Sequence, residues 1–235
     1  MATASPGDLH EYDLASGDVR TLNQRLHDLT EADCATPWRI VNPKGVHAIA
    51  CGMRVPAKIE IDGHAGYYCA GMNQSAEITV RGNVGVGVAE NMMSGMVRVA
   101  GQASQSAGAT GRGGLLVIEG SAASRCGISL KGLDIVVAGS VGPMSCFMAQ
   151  LGTLVVCGDA GEALGDSLYE ARIFVRGSVK NLGADCIEKP MRDEHHELLA
   201  SLLERAGIDL APTAFRRYGS ARKLYNFHVD NASRY

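Results

Sequence analysis

Between residues 59 and 177 the apolar positions recur in short alternating bursts with a period of 19 residues. Ile59, Ile78, Val97, Leu116, Ile135, Leu154 and Ile173 form one column, and Ile61, Val80, Val99, Ile118, Val137, Val156 and Val175 form a second, two residues later. Two residues further on stand Gly63, Gly82, Gly101, Gly120, Gly139, Gly158 and Gly177. Alternating β-branched residues that end in glycine predict a short strand with one buried face, closed by a turn that needs an unusual backbone angle. Seven residues after each glycine come Ala70, Ala89, Gly108, Gly127, Cys146, Gly165 and Ala184. All are small, as expected where stacked backbone crowds a narrow interior.

A unit with one strand cannot bury its own apolar face and must stack on its neighbours. The period suits a parallel β-helix with coils about 4.8 Å apart, so six steps make a rod of roughly 30 Å. A leucine-rich repeat is excluded, since its LxxLxL pattern and its helical stretch are both missing. Asn91, Thr110 and Ser129 share a further column. They form a polar ladder if they point inward, or turn residues facing water if they do not. The outward strand column runs Glu60, Thr79, Arg98, Val117, Val136, Val155 and Phe174. Its apolar half, Val117 to Phe174, reads as an interaction stripe, with a helix of the same chain as the alternative cover.

The flanks change character, dividing the chain into an N-terminal helical arm (1–44), the β-helix (45–190) and a C-terminal helix with a docking tail (191–235). Residues 18–31 set Val19, Leu22, Leu26 and Leu29 on one helical face after Ser16 as a cap, and residues 191–206 predict a second helix that stops at Gly207. The last 25 residues carry Arg216, Arg217, Arg222, Lys223 and Arg234 against Asp230. They also hold Phe215, Tyr218, Tyr225, Phe227 and Tyr235. Aromatics with arginine make interface anchors, so Phe215, Tyr218, Arg222, Tyr225 and Phe227 are expected to dock on another chain, or else to wrap the rod itself.

Composition narrows the function. A 235-residue chain with 46% hydrophobic and 20% charged residues is globular, and its net charge of −3 gives no electrostatic reason to bind nucleic acid or a membrane surface. Its 29 glycines exceed an ordinary usage of roughly 7%. Seven cysteines without a CxxC pair, and acids at Asp8, Glu11, Asp13 and Asp18, predict a cytoplasmic protein with buried thiols. Residues 135–158 hold no charge and have the length of a membrane span, but the repeat accounts for all of them.

Motifs for catalysis, nucleotide binding or metal ligation are missing. His195 and His196 are adjacent on a predicted helix and so point about 100° apart, which suits a solvated face better than a shared metal. The glycine-rich segment 108–114 could cradle an anion, although a plain turn is the commoner reading. Arg112 and Lys131 fall in one column, with Arg125 near in sequence. This edge is expected to meet a partner carboxylate.

The segment from Gly63, GHAGYYCAGMNQSAEITVRGNVGVGVAENMMSGMVRVAG, followed by GATGRGG, SRCGISLKG and GDAGEALGD, resembles the GXGXG domain. That domain is the right-handed parallel β-helix at the C-terminus of the glutamate synthase large subunit. With a terminal segment similar to RYGSARKLYNFHVDNA, the chain looks most like the stand-alone β-helix subunits of N-methylglutamate synthase. Other glutamate-synthase-like subunits and the β-helix subunit of formylmethanofuran dehydrogenase are alternatives, and an anion-binding module is a third. The resemblance implies a non-catalytic subunit in a hetero-oligomer of higher order. Its partners would be an amidotransferase-like subunit and an FMN-binding synthase subunit that carries the FMN and an iron-sulfur cluster. No catalytic or cofactor residue is carried over to this chain.

Overall fold

The computed structural model describes residues 9–223. Seven strands carry the repeat: β3 (Lys58–Asp62), β4 (Glu77–Val80), β5 (Met96–Val99), β6 (Leu115–Ile118), β7 (Lys131–Val137), β8 (Leu151–Val156) and β9 (Arg172–Val175). Each pairs in parallel with the next, so that Ile59 faces Ile78, Ile78 faces Val97, and the column continues to Ile173. The chain is a parallel β-solenoid of about seven coils, as the 19-residue period requires. A second ribbon one residue wide links Ala65, Val84, Ala103, Ala122, Val141, Ala160 and Val179. Residues 135–158 lie within β7, β8 and the turns around them, and among the described residues no helix is long and apolar enough to cross a membrane.

The sheet begins earlier than the repeat. β1 (His10–Asp13) pairs in parallel with β2 (Trp38–Val41), and β2 with β3. Residues 1–44, expected as a helical arm, therefore also add two strands. Between them α1 (Val19–His27) buries Leu22 and Leu26 over the first coil. Its cap is Asp18, whose carboxylate accepts the Thr21 N–H at 2.9 Å, and not Ser16. Asn23 fastens the helix by donating to the Ala48 carbonyl and accepting from the Ala50 N–H.

Gly63, with a φ of 136°, has the unusual backbone angle expected of the repeat glycines, and the other six have a different reason. Gly82, Gly101, Gly120, Gly139, Gly158 and Gly177 do not adopt positive φ. They stack, and from Gly101 onward each N–H donates to the glycine carbonyl one coil earlier, as in Gly120 to Gly101 at 3.0 Å and Gly139 to Gly120 at 2.9 Å. A Cβ on Gly120 or Gly139 would meet that carbonyl oxygen at 2.7 Å. The left-handed backbone lies elsewhere, at Ala70, Ala89, Gly108, Gly127, Cys146 and Gly165, which are also buried. Their small size thus answers to backbone angle as well as to crowding.

A ladder one residue after the glycines ties the coils together. His64 accepts from the Asn83 N–H, Asn83 from Gln102, Ser121 from Ser140, Ser140 from Asp159, and Asp159 from Ser178. By contrast, Asn91 is exposed, and its column faces water with a single rung, Thr110 Oγ1 donating to Asn91 Oδ1 at 2.7 Å.

At the C-terminal end β10 (Cys186–Lys189), α2 (Asp193–Ala206) and β11 (Arg216–Ser220) close the solenoid. β11 inserts antiparallel between β9 and β10, which pairs the edge that β9 would otherwise expose. α2 stops at Gly207, whose φ of 71° and ψ of 32° form the left-handed C-cap.

Candidate functional site

Val117, Val136, Val155 and Phe174 are fully buried. α2 lies over them with Leu199, Leu202, Leu203 and Ala206, and Phe215 completes the cluster. The apolar stripe is therefore not a surface for another chain, and its own helix covers it. Phe215 and Tyr218 are likewise buried in this molecule, because β11 needs side chains that pack against the end of the rod. Arg222 is half-buried at that end, while Tyr225 and Phe227 lie outside the described residues.

Arg112 and Lys131 do stand on adjacent coils, with the Lys131 N–H donating to the Gly111 carbonyl at 2.8 Å. Arg125 does not join them. It occupies the column of Ser106 and Met144, all three with left-handed backbone. The segment 108–114 is no anion cradle, since the N–H groups of Thr110, Gly111 and Arg112 all donate to carbonyls of the solenoid. Gly113 and Gly114 are glycines for contact, because a Cβ on either would meet a carbonyl oxygen of the preceding coil at 2.6 Å.

The cations that converge are a different set. A cavity of about 420 Å³ opens where the start of β9, the end of β10, the first turn of α2 and β11 meet. Arg172, Lys189, Arg192, Arg217 and Arg222 line it, with Glu170 and Glu194 as its acids. Arg192 pairs weakly with Glu194 at 3.4 Å, and Lys189 donates to the Ser220 carbonyl at 2.8 Å. Among the described residues neither Arg172 nor Arg217 has a carboxylate within 4.0 Å. Partial burial first, and then the positive charges of Arg217, Arg222 and Arg192, push the Lys189 ammonium below its usual range. Burial together with Arg192 and Arg172 does the same to the Arg217 guanidinium.

His195 forms one wall. It is 5% exposed, 6.4 Å from the Phe174 ring, and its Nδ1 accepts the Arg192 N–H at 3.1 Å. Burial and Arg217 hold the imidazole pKa below its ordinary value, so it is neutral near pH 7. Sequence reasoning left this histidine on a solvated face because the covering sheet is remote in sequence. Among the described residues no group of three His, Cys, Asp or Glu could hold a metal ion. Of the cysteines, Cys69, Cys126, Cys146, Cys157 and Cys186 are buried thiols, and Cys34 and Cys51 are half-exposed.

The cavity's lining among the described residues is chiefly cationic and supplies no activated nucleophile. Ser220, its one buried hydroxyl, donates to Asp185 at 2.6 Å. No protein-family model matches the chain. Protein GlxC of Rhizobium meliloti is 60% identical over 224 residues, which span 95% of this chain and 98% of that protein. Such a likeness over nearly the whole of both chains shows that the chain belongs to the GlxC family.

Proposed function

We propose that this chain is a non-catalytic β-helix subunit of a glutamate-synthase-like complex, specifically one of N-methylglutamate synthase type. In that assembly it would join an amidotransferase-like subunit to an FMN-binding synthase subunit. The reaction would exchange methylamine for ammonia on L-glutamate, with FMN and the iron-sulfur cluster held by the partner.

One observation carries this reading. The glycine-rich segments that resemble the GXGXG domain are taken up by coil-to-coil stacking, so the motif builds a rod. The interior supports it as well, being filled by Ile61, Ile78, Val97, Leu116 and Ile135 at 1% exposure or less. Partner surface is available on the solenoid arms, where Tyr67, Tyr68, Met72 and Met93 are each 49% exposed.

Co-expression with the genes beside it tests the proposal. The expected result is a yellow complex that turns over glutamate and methylamine only when this chain is present. A lone monomer that never retains a flavoprotein would overturn it.

A further inference from the structure

The cationic cavity at the C-terminal end has the size of a small-molecule site, about 420 Å³, within the general range of roughly 300–1,000 Å³. Its lining carries five cations and two acids. Burial first, and then the repulsion of neighbouring cations, holds Lys189 and Arg217 below their usual proton affinity. An anion in the cavity would relieve that repulsion. Planar guanidinium groups suit oxyanions in particular, since each can donate two parallel hydrogen bonds to a carboxylate or phosphate. The backbone agrees, because α2 is fourteen residues long and points the positive end of its dipole at the cavity from Arg192.

We propose that this cavity binds a compact dianion, a phosphate monoester or a dicarboxylate, clasped by Arg172, Arg192 and Arg217. Two carboxylates against five cations favour a ligand of charge −2 over a monoanion, and neutral His195 gives the cavity a wall that does not titrate near pH 7. The site is independent of the assembly reading above, since it lies within this one chain.

Isothermal titration of the full chain at pH 8 and constant ionic strength tests it, with inorganic phosphate and succinate as probes and chloride as the reference. Saturable binding of either dianion is expected, weakened at least tenfold in Arg172→Gln and in Arg192→Gln and unchanged in Arg112→Gln, a cation outside the cavity. Binding of phosphate alone would mark a phosphoryl ligand, and of succinate alone a dicarboxylate; each supports the proposal. Thermal melts check that the variants are folded, and either arginine decides the matter if the other fails to fold. Binding no tighter than chloride would overturn the proposal. So would equal losses in Arg112→Gln and the cavity variants, because the attraction would then be diffuse.

Discussion

The two halves of one sheet face, both built of parallel strands, are stabilised in opposite ways. Across β2 to β5 the outward residues are polar or charged and laced by exposed pairs such as Arg81 with Glu60 at 3.1 Å and Lys58 with Glu77 at 3.9 Å. Across β6 to β9 the same column becomes Val117, Val136, Val155 and Phe174 and disappears under α2. Arg98 stands at the border. It pairs with Glu119 at 3.0 Å and donates to the Ala206 carbonyl at 3.0 Å, which ties the end of α2 to the last polar coil. The register of a solenoid is thus set by its interior columns, while a single outward residue per coil decides whether the face meets water or a helix.

Breaking the covered half should cost most. Phe174→Ala is expected to lower unfolding stability by about 3–5 kcal/mol and Leu202→Ala by about 2–5 kcal/mol, read from urea midpoints. Altering the rod common to both halves comes next: Gly120→Ala forces a methyl against the Gly101 carbonyl and should cost about 1–3 kcal/mol. If its midpoint is unchanged, close backbone approach is not the reason for the glycine column.

Titration separates the halves further. The His195 imidazole has a lowered folded pKa, so its contribution is present above the unfolded value of about 6.5 and is lost as pH falls below it. Melting temperature should therefore drop as pH falls below about 6.5, and His195→Gln should flatten that slope. In the alkaline direction, burial raises the Cys157 thiol under α2 to about 11 and the interior Cys126 to about 12. Stability from these thiols is complete below the unfolded value of about 8.5 and falls as pH rises toward those folded values. Cys157→Ala should reduce the alkaline loss. The smallest effect is expected in the polar half, where Glu60→Gln removes an exposed ion pair that adds little after screening and side-chain ordering. A midpoint shift as large as that of Leu202→Ala would mean that the two halves are not stabilised differently.

Parts of the site were legible and parts were not. The cations of the tail were visible as composition, yet their meeting with Arg172 depends on β11 reversing against β9, a pairing that no local pattern encodes. The polar ladder was legible in principle, because His64, Asn83, Gln102, Ser121, Ser140, Asp159 and Ser178 form an unbroken polar column one residue after the glycines. What hid it is that polar residues next to glycine also describe an ordinary solvated turn.

By itself the sequence determined the period, the seven repeat strands, the inward columns and the two helices, because each follows from interactions repeated at fixed spacing along the chain. Only the tertiary structure decided that α2 covers the apolar stripe, that the glycines are required by contact between coils, and that Arg172, Lys189, Arg192 and Arg217 share one cavity. These outcomes rest on contacts between segments distant in sequence, where packing and charge are satisfied by partners that no local spacing specifies.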